Sequence, residues 1–443
     1  MTEFRDAADV MKAVADQDVS FIHIWFTDVL GLLKSFAITP AELEGAFAEG
    51  MGFDGSSIEG FARIEESDMI AMPDPTTCQV LPWRPKDRPV LRMFCDLLQP
   101  DGTPYAGDPR YALKRALAKA DAAGYTYYVG PELEYFYFAD DSTPTPLDKG
   151  GYFDAQPLDS GADLRRATIF TLQEMGIDVE YSHHEVAPSQ HEIDLRFAEG
   201  LSMADTAVTF RVAVKEIARQ HGVHATFMPK PMAGENGSGM HTHQSLFRGE
   251  RNAFFDADDE YNLSDIGKSY IAGTLKYARE MAAVTNQWVN SYKRLVPGFE
   301  APVYLSWARR NRSAMVRVPM YKPGKEQATR MEFRSPDPAC NPYLAFACML
   351  SAGLKGVENQ LPLAEPIERD VYEMNGAERG AAGIGSLPGN LFEAIQELQG
   401  SQLVREALGD HIFEKLLTNK LIEWDDYRLQ VTDFEIERYL PRL

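Results

Sequence analysis

Hydrophobic and polar positions alternate in two stretches of the first hundred residues, Val19-Ser20-Phe21-Ile22-His23-Ile24-Trp25-Phe26 and Val90-Leu91-Arg92-Met93-Phe94-Cys95-Asp96, and a period of two predicts strands. Between them, Thr39-Pro40-Ala41-Glu42 predicts a helix start with a capping box and a proline at the first helical position, and Gly50 predicts its end. A small α+β unit results. Pro100-Asp101-Gly102-Thr103-Pro104 is a turn cluster, and Asp108-Pro109 then opens a helix that Gly124 closes, so a domain boundary is expected near residue 103. Beyond it, strands are expected around 126–139, 179–197, 223–228, 240–247 and 330–335. Helical patterns near 160–175, 264–284 and 341–357 separate them, so the larger unit is α+β too.

The polar residues on those strands are unusual. Glu132 and Glu134 sit two apart in an aromatic-rich strand, which puts both carboxylates on one face. Like charges held side by side need a cation or a proton. Glu185 and Glu192 flank a Pro188-Ser189 turn, so a hairpin brings them to one end of the sheet, and Glu332 with Arg334 makes a further same-face pair. Any one of these alone reads as a solvated strand residue or a surface ion pair. Five glutamates in such contexts do not. His241-Thr242-His243 adds two imidazoles on one strand face, a weak metal signal by itself. A carboxylate-dominated set with one or two imidazoles suits Mg²⁺ or Mn²⁺ better than zinc. Opposite in charge are Arg294, Arg309, Arg310, Arg312, Arg317, Arg330 and Arg334, whose planar forks match phosphate and carboxylate oxygens. Divalent cations facing arginines point to phosphoryl transfer between bound anions.

Composition narrows the field. The chain has 443 residues, with 66 acidic against 44 basic side chains and a formal net charge of −22, which disfavours nucleic-acid and membrane-surface binding. The length suits two or three domains and a substantial core. Cys78, Cys95, Cys340 and Cys348 lack the spacing of a zinc site or a disulfide scaffold, so they read as buried thiols in a reducing compartment. No targeting or membrane segment is recognisable, and a cytoplasmic location is expected. The usual nucleotide fingerprints are missing: Gly267-Lys268-Ser269 lacks the upstream glycine of a Walker A loop, and no Gly-x-Gly-x-x-Gly follows a strand. No Gly-x-Ser-x-Gly elbow supports acyl-enzyme chemistry.

Eight blocks, in order, carry a resemblance to one family. They are 53–61 (Phe53-Asp54-Gly55-Ser56-Ser57-Ile58-Glu59-Gly60-Phe61), 131–134, 183–194, 227–231, 236–243, 290–298, 311–313 and 334–338. Over essentially the whole chain the sequence resembles the type I bacterial and archaeal glutamine synthetases. The resemblance implies an N-terminal β-grasp domain (1–103) and a catalytic domain (104–443) built on a curved antiparallel sheet with flanking helices. It implies a homo-oligomer as well, a dodecamer of two hexameric rings with active sites between subunits. The reaction implied is ATP-dependent ligation of ammonia to L-glutamate through γ-glutamyl phosphate.

Residue by residue, the resemblance assigns Glu134, Glu185 and Glu192 to one divalent ion and Glu132, His241 and Glu332 to a second, with two to three Mg²⁺ or Mn²⁺ per subunit. Glu180, His243, Ser245, Arg317 and Arg330 fall in the ATP set, and Asn236, Gly237, Arg294 and Arg334 in the glutamate set. Arg312 is placed toward the transferred phosphate, and Glu300 on a closing flap. Asp54 and Ser57 of a neighbouring subunit, with Tyr152 and Glu185 on this one, match the ammonium pocket, Asp54 as the base. Two departures stand out. Gln327 replaces a nucleotide-contacting lysine in an atypical 322–329 loop, and Tyr372 aligns with an adenylylated tyrosine in different surroundings, where an exposed, unmodified side chain is expected. Length and the Phe61–Ser67 motif resemble the feedback-regulated subgroup more. The alternative within this fold is a γ-glutamyl ligase for a polyamine or other amine.

Overall fold

The computed structural model describes residues 4–58, 60, 68–299 and 301–443. The first unit is a sheet of β1 (Phe21–Thr27), β2 (Leu33–Ile38), β3 (Met51–Asp54), β4 (Asp68–Pro73), β5 (Gln79–Val80) and β6 (Val90–Leu98), ordered β2-β1-β6-β4-β3 with β5 also paired to β6. β1 runs parallel to β6 and antiparallel to β2. The period of two explains its packing. Ile22, Ile24, Leu91 and Met93 point to one face, where Val10 and Val14 of helix Ala7–Asp16 and Leu43 and Ala46 of helix Leu43–Glu49 cover them. Trp25, Val90 and Phe94 point to the other face and join the core of the larger unit. Both faces are therefore buried along β6 and most of β1, whereas Ser35 and Ala37 of β2 and Gly52 and Asp54 of β3 remain exposed.

The helix start at 39–42 differs from expectation. Thr39 makes no side-chain cap; Pro40–Glu42 is a single 3₁₀ turn and the α-helix starts at Leu43. The reason is local: the Glu42 N–H that a capping box would offer to the Thr39 hydroxyl goes instead to the Thr39 carbonyl at 3.0 Å. Gly50 ends the helix at φ +76°, as its lack of a Cβ permits. Asp108 does cap helix Pro109–Ala122, accepting from Arg110 N at 2.9 Å, and also accepts from Leu97 N of β6 at 3.1 Å. One carboxylate thus ties the last strand of the first unit to the first helix of the second.

The second sheet contains β7 (Thr126–Phe138), β8 (Val179–His184), β9 (Gln190–Leu195), β10 (Ala198–Glu199), β11 (His224–Thr226), β12 (Met240–Arg248), β13 (Arg251–Asn252), β14 (Trp307–Ala308), β15 (Val316–Arg317) and β16 (Met331–Phe333). Its path is β14-β15-β16-β12-β7-β9-β8, antiparallel except between β14 and β15. Helices Gly200–Gln220, Asp265–Thr285 and Pro342–Glu358 contribute heavily to its core. The last two approach so closely that a Cβ on Gly273 would lie 2.3 Å from the Ala352 carbonyl. The expected 179–197 strand is two strands joined by the Pro188-Ser189 turn, with Ser189 at φ +57° and Glu185 N bonded to Gln190 O at 2.8 Å. All four cysteines are buried and free, and among the described residues no helix is long and apolar enough to cross a membrane.

Candidate active site

Strand register assembles the polar residues into three rungs across the second sheet. His183 of β8, Glu192 of β9 and Glu134 of β7 are paired in one rung. Tyr181, Asp194, Glu132 and His241 form the next. His243 of β12, Glu332 of β16 and Arg317 of β15 form the third, opposite Gly130. Because side chains on a strand alternate faces, the spacing of two within 132/134, 192/194 and 241/243 puts all of these on one side. Glu185 joins from the end of the β8–β9 hairpin, its carboxylate 2.8 Å from His183 Nε2.

Six carboxylates share this face, and the sheet holds them with few donors. Glu134 is buried and accepts from Gly239 N and Gln190 Nε2, both at 2.9 Å. Burial, then the charge of Glu185, pushes its carboxyl up to about 8. Burial and then Asp194 push Glu192 well above the usual range, and burial and then Glu132 raise Asp194 to about 6. Glu332 goes the other way. Burial alone would raise it, but Arg334, His243 and Arg317 outweigh that and hold it at about 2. His243 is held at both ring nitrogens, with Arg330 Nε 3.1 Å from Nδ1 and the Glu132 carboxylate 2.7 Å from Nε2. His241 Nδ1 lies 3.5 Å from Glu132, 3.8 Å from Glu134 and 4.0 Å from Glu332.

This donor set fits hard divalent cations. His183–Glu185–Glu192, Glu132–His243–Glu332 and Glu132–Glu192–Asp194 each bring ligand atoms within 4.8 Å of one another, and acids forced to keep protons near neutral pH are what a cation would relieve. A fourth cluster, Asp148, Asp159, His184 and His191, does not fit one. Arg165 already supplies its positive charge, paired with Asp159 at 2.6 Å and with His191 Nδ1 at 2.8 Å.

Two chambers open onto the acidic face. One, of about 390 Å³, is lined by Asn236, Gly237, Arg294, Arg312 and Arg334 together with Tyr152 and the acids. The other, of about 270 Å³, is lined by Glu180, His243, Ser245 and Arg330 with Phe197 and Gln327. Glu132, Tyr181 and Arg317 line both, so the chambers meet at the acids. Arg294 is fully buried and donates to the carbonyls of Ser335 at 2.7 Å and Arg334 at 3.1 Å. Arg309 and Arg310 stand away from both chambers, with their backbone N–H groups bonded to Glu368. In the 322–329 loop, Gln327 lines the second chamber but its amide donates to Glu250 O at 2.7 Å, while Asn252 pins the loop through Gln327 O and Thr329 O.

Some expected residues are not brought to this site. Asp54 is exposed at the end of β3 and accepts from Ser56 N at 2.9 Å and Ser56 Oγ at 3.0 Å; it lines neither chamber. Glu300, the side chain of Ser57 and the Phe61–Ser67 motif lie outside the described residues. Tyr372 is not exposed: it is half-buried in the first chamber and its hydroxyl donates to Ala301 O, because the 3₁₀ turn Val371–Glu373 folds it inward. Sequence reasoning missed His183, Gln190, Tyr181 and Asp194 as site residues. The period of two running Gln190, Glu192, Asp194 and Tyr181, His183 was the available signal.

Residues 106–439 match the glutamine synthetase catalytic domain, and residues 18–100 match the glutamine synthetase β-grasp domain. The glutamine synthetase of Mycolicibacterium smegmatis is 55% identical over 437 residues, covering 97% of this chain and 98% of its own, and that of Methanosarcina mazei is 52% identical over 439 residues, covering 98% of each. A solved GmaS/ADP complex superposes with a TM-score of 0.88 at 31% identity, covering 97% of this chain and 99% of its own. With both parts of the chain matched and full-length relatives above half identical, the chain belongs to the type I glutamine synthetase family.

Proposed function

We propose that this chain joins ammonia to the γ-carboxyl of L-glutamate at the cost of ATP, giving L-glutamine, ADP and phosphate through γ-glutamyl phosphate. The observation that carries this reading is the junction of the two chambers at a buried acidic face, with Arg294, Arg312 and Arg334 lining one side and His243, Ser245 and Arg330 the other. A γ-carboxylate is a poor electrophile until it is phosphorylated, and the transfer needs both anions in line with their charge compensated. Glutamate fits the first chamber, held by Asn236, Gly237, Arg294 and Arg334. ATP fits the second, against Glu180, His243, Ser245, Arg317 and Arg330. Glu134, Glu185 and Glu192 would hold one Mg²⁺ or Mn²⁺ and Glu132, His241 and Glu332 another. Such ions polarise phosphoryl oxygens and screen developing negative charge. Arg312, whose guanidinium lies 3.5 Å from the Tyr152 hydroxyl, is aimed to take a share of that charge.

The amine step needs more than one chain. Tyr152 and Glu185 line the first chamber, whereas Asp54 does not, which supports an active site completed by Asp54 and Ser57 of a neighbouring subunit in a ring oligomer, a dodecamer in our reading. Asp54 takes the proton of ammonium there, and Glu300 shields the acyl phosphate. The division into units 1–103 and 104–443 belongs to the same reading, supported by the turns at 99–103. A cytoplasmic location fits four free buried thiols. The GmaS likeness keeps a second reading, γ-glutamyl transfer to another amine. Turnover with ATP and glutamate against ammonia, methylamine, putrescine and spermine decides: a preference for any organic amine overturns ammonia as the acceptor.

A further inference from the structure

Gln190 is one of the most enclosed polar residues of the site, 1% exposed on β9, and all of its amide is engaged. One N–H of Nε2 goes to Glu134 Oε2 at 2.9 Å and the other to Gly237 O at 3.1 Å, while Oε1 accepts from Ala187 N at 3.2 Å. The orientation is fixed by chemistry. Reversing the amide would set its oxygen against two acceptors and its nitrogen against a donor. The bridge therefore links a carboxylate of the acidic face to the 236–239 loop of the first chamber. That loop has little freedom to absorb a change. Gly239 N also bonds Glu134, Ser238 N bonds Pro229 O at 2.8 Å, and a Cβ on Gly237 would lie 2.3 Å from Pro229 O and 3.1 Å from the Arg294 side chain.

We propose that Gln190 is a positioning residue that couples cation binding at Glu134 to glutamate binding at the Asn236–Gly237 loop. The inference rests on the reading of the two chambers given above. With the Glu134 carboxylate oriented to hold a cation, the second N–H of the same amide would set the Gly237 carbonyl, and with it the loop, against Arg294. The converse holds by linkage: an ordered loop holds Glu134 in the orientation a cation needs. Gln190 touches neither the reacting atoms nor, in this assignment, the cation itself, so its effect passes through Glu134 and Gly237.

The test is glutamate affinity by titration calorimetry without ATP, at saturating Mg²⁺ and in EDTA, for the full-length protein and for Gln190→Glu and Gln190→Met. Both variants keep the chain length of the side chain and remove the two-headed donor. The ratio of the two affinities is the coupling, and couplings of roughly 5–150-fold are ordinary for linked sites. We expect a ratio well above one in the parent and a fall toward one in both variants, with ATP affinity unchanged. A parent ratio of one overturns the metal–glutamate juxtaposition and this role together. A parent ratio well above one that both variants keep overturns the role of Gln190 alone. Loss of ATP affinity in both variants makes Gln190 a general structural residue and likewise overturns it.

Discussion

Glu134 and Glu192 face each other as direct partners across the β7–β9 ladder, both buried, with Glu185 close enough to raise the first and Asp194 the second. Like charges opposite one another destabilise a sheet. Gln190 and Gly239 donate to Glu134, and burial with like charge nearby pushes both carboxyls upward, toward the protonated form. On the proposed reading, a sheet built in this way gives up stability for a cation site.

The pH dependence follows. An acid raised in the folded state stabilises below its ordinary value of 4.5, and that contribution is lost as pH rises through the folded value, about 8 for Glu134. Asp194 adds a loss through about 6. His241, lowered by burial to about 4, works in the opposite sense below its ordinary value of 6.5. The EDTA-treated protein is therefore expected to melt at progressively lower temperature from about pH 6.5 toward 8, and Mg²⁺ to flatten the slope by replacing protons. Mg²⁺ binding should release protons at pH 7, read from calorimetry in buffers of different ionisation enthalpy. No proton release and a pH-independent melt would contradict the shifted acids.

Glu134→Ala and Glu192→Ala should each lower ATP-dependent ADP formation by at least about 100-fold, the scale on which a single preorganised electrostatic group acts in a transition state. The measurement is initial rate after EDTA treatment and Mg²⁺ restoration. Near-normal turnover in both variants removes these residues from the phosphoryl-transfer machinery.

Glu332 is fully buried between Arg317 and Arg334, and Arg334 is itself 7% exposed. Glu332→Gln leaves those guanidiniums without their carboxylate, and stripping one partner from a buried pair costs about 3–5 kcal/mol. A drop of several degrees in melting temperature should appear even in EDTA, which separates this structural cost from metal loss. An unchanged melt in EDTA would mean that solvent or the neighbouring acids already compensate the arginines.

Much of this arrangement was legible in the sequence because strands convert spacing into geometry. Two residues apart means the same face, so 132/134 and 241/243 announced themselves, and the Pro188-Ser189 turn announced the hairpin. Register is another matter. That Glu134 meets Glu192, and His243 meets Glu332, depends on pairings between segments 58 and 89 residues apart, which no local pattern encodes. The Thr39 cap failed for a local reason instead: the hydroxyl and the carbonyl of one residue compete for the same N–H, and the residue types are identical in either outcome. Tyr372 was misjudged because its burial is set by a turn packed against Ala301, 71 residues away in the chain.

The oligomer is testable by mass. The C-terminal stretch leaves Leu429 and Leu440 each 74% exposed and Phe434 60% exposed, a concentration of apolar surface that a monomer rarely carries without a partner. On the proposed reading Asp54, which is exposed and lines neither chamber, serves the site of a neighbouring subunit. Light scattering is expected to give a species many times the 49.6 kDa chain mass, with activity confined to it. A fully active species at the chain mass would overturn the shared site.

The assignment of Asp54 can be separated from every other role by the choice of amine. Gly52 and Gly55 flank it at the end of β3, and its carboxylate is held by Ser56 while remaining exposed, an arrangement suited to presenting a charge to a partner. Ammonium must bind as a cation and lose a proton before its nitrogen attacks the acyl phosphate. Hydroxylamine is neutral near pH 7 and attacks without a strong base. Asp54→Asn keeps the size and the Ser56 contacts but removes the charge and the basicity. It should still phosphorylate glutamate, retain most γ-glutamyl hydroxamate formation, and lose ammonia-dependent glutamine synthesis by about 100-fold or more, the span general-base catalysis supplies. The measurement is the ratio of the two rates in variant and parent at the same pH. An equal fall in both would mean that Asp54 acts by holding the subunit contact or the nucleotide, because neither of those distinguishes one amine from another.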